Sequence, residues 1–336
     1  MNLKEIWNNF SSQEEYLDSK RDLFDRSQFK DVKSKKVLRP FVSEYLLQNG
    51  FNPQYPHNKK FGLCVSHDID VLYKKDLSLK GSLKPKQIYD DYSITNTLKI
   101  GNKYNLKSSF YFLALENGEL DYNYSLGAIT DAFEEIKDNN CEIGLHGGFN
   151  AYMDLKKIKQ EKSLLEAAIK QEVKGYRGHF LKFNTPLTWK ILDELNFSYD
   201  TTFGYANHVG FRNGMCHPFR PYCKDQGKYL DILEIPLVIM DATLGKYMGL
   251  TKIEQLKQCK DLIDIVERNK GVLSLLWHND NMNGENGEMY ESILKYAYEK
   301  NAWMATGEEM SDYWKENYDE LQIVALEKLR KYKDED

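Results

Sequence analysis

Short apolar runs alternate with amphipathic stretches from residue 61 to about residue 310. Each run is a few residues long and is bounded by polar or turn-forming residues, as expected of a buried strand. The eight runs are FGLCVSHD (61–68), SSFYFLAL (108–115), EIGLHGG (142–148), VKGYRGHF (173–180), FSYDTTF (197–203), LEIPLVIMD (233–241), GVLSLLWH (271–278) and WMATGEEM (303–310).

Helical patterns lie between most of these runs. They are LGAITDAFEEIKDN (126–139), LKKIKQEKSLLEAAIKQ (155–171), PLTWKILDELN (186–196), TKIEQLKQCKDLIDIVERN (251–269) and MYESILKYAYEK (289–300). The last four place apolar residues at i, i+3 and i+4, the spacing of an amphipathic helix. Alternating strands and helices predict an α/β protein with a mainly parallel sheet, either open or closed. About eight strand-like runs favour closure, so we expect a (β/α) barrel of about seven to eight strands.

The ends of this pattern suggest where the chain divides. Residues 1–60 are charged and aromatic-rich and end in FNPQYPHNKK. We interpret them as a helical N-terminal extension packed on the barrel. Residues 61–312 would form the barrel itself, and residues 313–336 a C-terminal helix with a charged tail. A chain of 336 residues is long enough to bury a large core.

Composition and charge argue against several classes of protein. There are 46 basic and 51 acidic residues, a net charge of −5, which argues against a main role in binding nucleic acid phosphates. No apolar run approaches the roughly 18 residues that span a bilayer. The polar start, MNLKEIWNNF, lacks the apolar core of a secretory signal, and we expect none.

The cysteines indicate a reducing compartment. The chain has five, an odd number that is widely spread and contains no CxxC pair. This pattern argues against a disulfide framework and against a structural zinc site. Cys64 and Cys141 have apolar neighbours, which is typical of small core residues. We therefore expect a reduced, cytoplasmic protein.

Polar residues with catalytic or ligating chemistry gather at one kind of position. In parallel α/β proteins, ligands and catalytic groups converge at the C-terminal ends of the strands. Six side chains lie at or just beyond the predicted strand ends: Asp68, His146, Arg177, His179, Asp241 and His278. One such residue could be a coincidence, but six at equivalent positions predict a functional site.

Each of these residues also has a simpler structural interpretation. Asp68 and Asp70 would repel each other in a buried mouth and so require a cation or an arginine, but the alternative is a strand end with an Asx turn. His146 could be structural, although the two glycines after it indicate a backbone close to something bound. Arg177, if buried, must face a carboxylate. His278 suits acid–base chemistry but could equally be a core histidine.

Together the clusters resemble the polysaccharide deacetylase family, the NodB-homology domain of carbohydrate esterase family 4. The motifs, in family order, are SHDID (66–70), EIGLHGGFN (142–150), GYRGHF (175–180) and LSLLWHND (273–280). The stretch TPLTWKILDELNFSYDTTFG (185–204) is similar to the helix and strand that follow the third motif. The resemblance covers roughly residues 61–310 and indicates a divergent member.

The resemblance implies a distorted barrel with a divalent metal, usually zinc, at its mouth. It implies that Asp70 and His146 bind the metal and that Asp68 is the catalytic base. It further implies that Arg177 holds the base and that His278 is the general acid. These roles agree with the chemistry of amide hydrolysis, which needs an activated water and a protonated leaving amine.

Two departures from the family pattern bear on the metal. The second metal-binding histidine is replaced by Asn150, whose amide oxygen is a weaker zinc ligand than imidazole. Three possibilities follow: Asn150 still coordinates, His179 supplies the nitrogen, or the metal is lost. The third motif lacks its usual prolines, and its His179 could be a metal ligand or a substrate contact. Residues 210–222 match no motif and suit either sugar or phosphate contacts or a surface loop.

The leading hypothesis is a metal-dependent hydrolase that removes an N-acyl group from an amino sugar, and the resemblance implies that this group is acetyl. Its substrate would be a nucleotide-linked or lipid-linked precursor of a surface polysaccharide. One alternative is a non-catalytic carbohydrate-binding relative that has lost the metal. Another is a cyclic amide hydrolase of the allantoinase type, which also uses a D-x-D first motif.

Overall fold

A parallel sheet forms the centre of the protein and helices surround it. The computed structural model describes residues 2–16, 20–32, 35–72, 94–115 and 124–332. Its strands are β1 Phe61–Ile69, β2 Ser109–Leu113, β3 Glu142–Gly147, β4 Gly175–Gly178, β5 Tyr199–Asp200, β6 Tyr222–Cys223, β7 Lys228–Tyr229, β8 Leu233–Glu234, β9 Leu237–Met240, β10 Val272–Leu276 and β11 Ala302–Ala305. Its α-helices are α1 Leu3–Phe10, α2 Phe41–Gln48, α3 Ile94–Asn102, α4 Thr130–Asp138, α5 Leu155–Ile169, α6 Leu187–Glu194, α7 Lys252–Arg268, α8 Gly284–Glu299, α9 Gly307–Asn317 and α10 Asp319–Tyr332.

The strand order is β8-β5-β4-β3-β2-β1-β10-β9, and every neighbouring pair is parallel. The ninth strand, β11, pairs with residues 61–64 of β1, whereas β2 pairs with residues 66–69. β6 and β7 form a separate antiparallel pair. The predicted α/β class and parallel sheet are confirmed.

The sheet curls into a half-barrel, which explains the distortion expected of the fold. Within the described residues no ladder joins the two edge strands, β8 and β9. A loop covers this seam instead: the backbone N–H of Leu237 donates to the carbonyl of Phe203 (3.2 Å), and Gly210 donates to Val238 (2.8 Å). The barrel wall is therefore part sheet and part hydrogen-bonded loop.

Two of the apolar runs form shorter strands than predicted. The run 233–241 is divided into β8 and β9 at Pro236, since proline has no N–H to donate to a ladder. The strand in the run 303–310 stops at Ala305 because Thr306 is the N-cap of α9. Thr306 and Glu309 form a capping box, which satisfies free N–H groups of the first helical turn.

The helices bury one apolar face each, as their spacing predicts. In α7 the side chains of Leu262, Ile263 and Val266 are fully buried, and Thr251 caps the helix in a second capping box. Within the described part of the chain, no helix is both long and apolar enough to cross a membrane.

The residues before β1 pack against the barrel. Glu15 and Arg212 form a bidentate ion pair, with Nε to Oε1 at 2.8 Å and Nη2 to Oε2 at 2.7 Å, and both side chains are buried. Helix α9 spans the expected 312/313 boundary, and residues 333–336 of the expected charged tail lie outside the described residues. The division into 1–60, 61–312 and 313–336 remains a prediction.

Glu142, the first residue of β3, is hydrogen-bonded to the start of α9. Its Oε2 accepts hydrogen bonds from Ser109 Oγ (2.7 Å) and from the backbone N–H of Glu308 (3.0 Å), and its Oε1 accepts one from Tyr199 (2.7 Å). Burial raises the pKa of Glu142 to about 7, although these hydrogen bonds favour the charged form. The carboxylate therefore connects the N-terminal ends of β2, β3 and β5 to α9, at the end of the sheet opposite the strand C-termini.

This burial should make stability depend on pH. Because the pKa of Glu142 is raised from 4.5 to about 7, the folded state holds the proton more tightly than the unfolded state. Its contribution to the free energy of unfolding should fall as pH rises from about 4.5 to 7, by on the order of 3 kcal/mol. The Gln amide of Glu142→Gln can hydrogen-bond to the same three partners but does not titrate. The free energy of unfolding of this variant, measured with urea, should not show this fall between pH 4.5 and 7. An unchanged pH profile in the variant would assign the dependence to other groups.

Candidate active site

The strand ends bring the predicted site residues to one rim. Asp68 lies within β1 and Asp70 directly after it, His146 lies in β3, and Arg177 lies in β4 with His179 immediately beyond. Asp241 follows β9, and His278 lies two residues after β10. Neighbouring parallel strands end at the same edge, so residues far apart in the chain meet there.

Asp70, His146 and His179 form a compact cluster. One ligand atom from each lies within 4.8 Å of the others. Asp70 Oδ1 is 3.1 Å from His146 Nε2 and 3.6 Å from His179 Nε2. Two imidazoles and one carboxylate are a donor set typical of catalytic zinc sites.

The orientation of His146 leaves a lone pair facing a carboxylate. Its Nδ1 lies 2.9 Å from the carbonyl of Arg177, which can only accept, so Nδ1 carries a proton. In the neutral ring Nε2 is then an acceptor, and neither Nε2 nor Asp70 Oδ1 has a hydrogen-bond partner among the described residues. Burial lowers the pKa of His146, but Asp68 and Asp70 raise it more, so the net shift is upward. The space between these atoms favours a positive charge, and a cation fits it.

The other two members of the cluster are charged appropriately for ligands. Burial raises the pKa of Asp70, but His146, His179 and His278 lower it more, to well below its usual range. Burial and the neighbouring His146 lower the pKa of His179 to about 3. Asp70 is therefore an anion and His179 a neutral imidazole.

Asp68 lies between the cluster and a buried arginine. Its Oδ2 is 3.7 Å from His146 Nε2, and its Oδ1 is 3.5 Å from Arg177 Nη1. The guanidinium is fully buried and is held by Thr201 Oγ1 at Nε (2.8 Å) and by Ser66 Oγ at Nη2 (3.0 Å). Arg177 is thus fixed by hydroxyl groups, and its remaining nitrogen faces Asp68.

His278 is held from behind by Asp241. Its Nδ1 is 2.6 Å from Asp241 Oδ1, and its backbone N–H donates to Oδ2 (3.0 Å), which also accepts from Asn281 (2.9 Å). Burial lowers the pKa of His278, but Asp241 and the more distant Asp70 and Asp68 raise it to about 10. The ring is therefore protonated at neutral pH, with Nε2 directed to within 3.9 Å of Asp70.

These groups share a cavity of about 150 Å³. Its apolar lining includes Leu181 and Met240. Its polar lining includes the site residues Asp68, Asp70, His146, His179 and His278. Arg26, Lys246 and Tyr247 also line it. Sequence reasoning did not find these three, because none lies at a predicted strand end and Arg26 precedes the barrel altogether.

Solved structures with a similar fold include two described as polysaccharide deacetylases and one allantoinase. A putative polysaccharide deacetylase from Mycobacterium smegmatis is 16% identical, with a TM-score of 0.57 over 78% of this chain and 92% of that one. A probable polysaccharide deacetylase from Pseudomonas aeruginosa PAO1 is 15% identical, with a TM-score of 0.59 over 81% and 98%. The Puue allantoinase is 14% identical, with a TM-score of 0.59 over 81% and 97%.

The chain has the NodB-like fold of carbohydrate esterase family 4. The resemblance found in the sequence motifs is confirmed at the level of the fold. No protein-family model matches the chain, and no curated protein matches it in sequence. The low identities to solved structures are consistent with a divergent sequence on this NodB-like fold.

In the second motif (142–150) of the NodB-like fold, neither Asn150 nor the two glycines after His146 line the cavity. Asn150 is exposed and does not line the cavity, whereas His179 does. The glycines after His146 do not make room for a ligand: a side chain at Gly147 would meet the Tyr176 ring, and one at Gly148 would meet Glu161. Packing within the protein therefore accounts for these glycines without a bound group.

Residues 210–222 of the NodB-like fold are neither a surface loop nor part of the cavity. Nearly all of them are buried, and they cross the seam beside β9. Arg212 binds Glu15, and His217 Nε2 lies 2.9 Å from the carbonyl of Asn269. The arginine and histidine that suggested sugar contacts are used to hold the N-terminal extension and the barrel together.

Proposed function

We propose that the protein is a metal-dependent hydrolase that removes an N-acyl group, such as acetyl, from an amino sugar. One observation supports this most: a ligand cluster lies between an arginine-paired aspartate and an aspartate-paired histidine in one small cavity. Hydrolysis of an amide needs an electrophile, a base and an acid. The three parts of this cavity supply one candidate for each.

Asp70, His146 and His179 are the residues we propose to hold the metal. Two nitrogens and one carboxylate oxygen suit zinc and leave further positions open for water and substrate. When bound, the ion would lower the pKa of a water and polarise the acyl oxygen. The carbonyl of Arg177 fixes the His146 tautomer, so Nε2 is presented without a proton.

Asp68 is the proposed base and Arg177 its partner. The carboxylate is next to the ligand cluster yet retains one oxygen toward the guanidinium, 3.5 Å away. This positive charge would orient Asp68 while it accepts the proton of the attacking water. Ser66 and Thr201 hold the arginine, so the partner does not move when the proton arrives.

His278 is the proposed acid. Asp241 holds its Nδ1, so the proton on Nε2 is the one available to the cavity. An amine is a poor leaving group until it is protonated. His278 would donate to that nitrogen as the bond to the acyl carbon breaks.

The substrate we propose is a nucleotide-linked or lipid-linked amino sugar, a precursor of surface polysaccharide used in the cytoplasm. Both linkages carry phosphate, and the cation Lys246, which lines the cavity, supports an anionic substituent there. Unlike Arg26, which pairs with Asp22, Lys246 has no carboxylate within ion-pair distance in the described residues. The apolar lining of Leu181 and Met240 would accommodate the acyl group.

The metal assignment leads to a direct test. Protein purified without chelator should contain about one zinc per chain by elemental analysis, and His146→Ala should lose it, together with release of acetate from N-acetylglucosamine 1-phosphate. His208→Ala is a matched control, because His208 does not line the cavity and its Nδ1 meets only a neighbouring carbonyl.

Three outcomes would contradict the proposal in different ways. Metal-free wild type that is fully active would remove the metal from the mechanism. Zinc binding and sugar binding without hydrolysis would instead indicate a non-catalytic carbohydrate-binding protein. Hydrolysis of allantoin but of no acetamido sugar would establish a cyclic amide hydrolase.

A further inference from the structure

A turn from the N-terminal extension lies against the cavity. Residues 21–27, called the 21–27 turn below, are closed by a bridge between Arg21 and Ser27. Asp22 organises the turn: its Oδ1 accepts from the backbone N–H of Phe24 (2.9 Å) and of Arg26 (3.0 Å). The turn is thus ordered by its own hydrogen bonds before any contact with the barrel is counted.

Two arginines of the 21–27 turn donate to the same stretch of backbone. Arg26 Nη1 donates to the carbonyl of Phe180 (3.2 Å), and Arg21 Nη1 donates to the carbonyl of Phe183 (3.0 Å). The ring of Phe24 also stacks on that of Phe180, with centroids 5.1 Å apart and planes at 8°. The backbone gripped in this way follows His179 directly.

That backbone is in an unfavourable conformation. Phe180 has a φ of 59° and Leu181 a φ of 56°, in the left-handed region that side chains with a Cβ disfavour. Consecutive residues of this kind persist only when their surroundings hold them there. The Phe180 carbonyl, which accepts from Arg26, belongs to the peptide bond between these two residues. This hydrogen bond therefore opposes a change in the backbone conformation of either residue.

Arg26 is itself held rigidly. It is only 5% exposed, and its Nε and Nη2 each lie 2.8 Å from Asp22 Oδ2. Nη2 is also 3.4 Å from the hydroxyl of Tyr247. Because Asp22 fixes Nε and Nη2 of this buried guanidinium, the direction of Nη1, which donates to Phe180, is fixed as well.

We propose that Arg26, assisted by Arg21, is a positioning residue that sets metal affinity by holding His179 in place. This inference rests on the metal centre assigned under the proposed function. The N-terminal extension is then a working part of the active site, although it shares no residue with the ligand cluster. Residues that orient metal ligands typically change metal affinity by about 10–100-fold when they are removed.

The test measures the dissociation constant for Zn²⁺ alone, by competition with a chromophoric chelator. Arg26→Ala should weaken zinc binding by about 10–100-fold, and Arg26→Lys should not restore it, since one ammonium cannot reach both Asp22 and Phe180. Arg39→Ala is the matched control: this arginine belongs to the same extension, but its pair with Glu44 is exposed. Zinc affinity of that variant should equal wild type.

A double-mutant cycle separates positioning from general loss of structure. If Arg26 acts through His179, then Arg26→Ala should have no further effect on zinc affinity in a His179→Ala background. Full additive weakening there would overturn the proposal. Phe24→Ala, which removes the stack on Phe180 from a partly exposed position, should weaken zinc binding in the same direction if Arg26→Ala fails to fold.

Failure of this inference can be told from failure of the metal centre. If His179→Ala leaves zinc affinity unchanged, the assigned metal centre is wrong. If His179→Ala weakens binding and both Arg26→Ala and Phe24→Ala leave it unchanged, the metal centre stands and the positioning role is wrong.

Discussion

Replacing Asp68 by asparagine is expected to lower the rate of N-acyl hydrolysis by about 10²–10⁴-fold, the usual loss when a positioned general base is removed. The amide has nearly the shape of the carboxylate but cannot accept the proton of the attacking water. Asp68 Oδ2 is 3.7 Å from His146 Nε2, farther than Asp70 Oδ1 at 3.1 Å, so zinc binding should persist. Steady-state kinetics and metal analysis of the same preparation provide the measurement.

Two further variants define the role of Asp68 more closely. Asp70→Asn should lose metal together with activity, which is the opposite pattern. Arg177→Lys should be as impaired as Asp68→Asn, because one ammonium cannot contact Asp68, Ser66 and Thr201 together. Full activity of Asp68→Asn would show that another group takes the proton.

His278→Ala is expected to damage hydrolysis of an N-acetyl amino sugar far more than that of an activated aryl ester. The amine leaves only after protonation, whereas a nitrophenolate leaves without it. The loss on the amide should be about 10²–10⁴-fold, with little change on the ester. Comparing kcat/KM for both substrates on each variant gives the result.

Asp241 offers a second way to examine the same proton. Asp241→Asn should lower amide hydrolysis, because the ring of His278 loses the partner that fixes its Nδ1 and raises its pKa. Metal content should be unchanged in both variants. Equal losses on amide and ester would mean that His278 acts through binding, and loss of zinc would make it a ligand.

The part of the site carried by strand ends could be predicted from the sequence. Asp68, His146 and His278 each end an apolar run, and parallel strands place such residues at a common edge. The parallel α/β sheet followed from the same alternation of runs and helical patterns. The local sequence pattern was sufficient for these residues because pairing of the parallel strands brings their C-terminal ends together.

Other parts depend on contacts that no local pattern encodes. The sequence could not decide between Asn150 and His179, since both lie near a predicted strand end and only the path of the chain after Gly178 directs the histidine inward. Asp241 was placed at the rim without a role, because its partner is 37 residues away. Arg26 carried no signal at all: its carbonyl partner is 154 residues further along the chain.

The attachment of the 21–27 turn has a consequence for how the proposed metal centre would release an ion. The 21–27 turn is attached by a few hydrogen bonds and a partly exposed ring, with Leu23 fully exposed, so it can open without disturbing the sheet. Release of the turn would free the strained backbone after His179 while the barrel stays folded. If the proposed metal centre holds an ion, exchange of that ion would then follow this local opening, at a lower free energy than global unfolding, and the 21–27 turn would control the exchange.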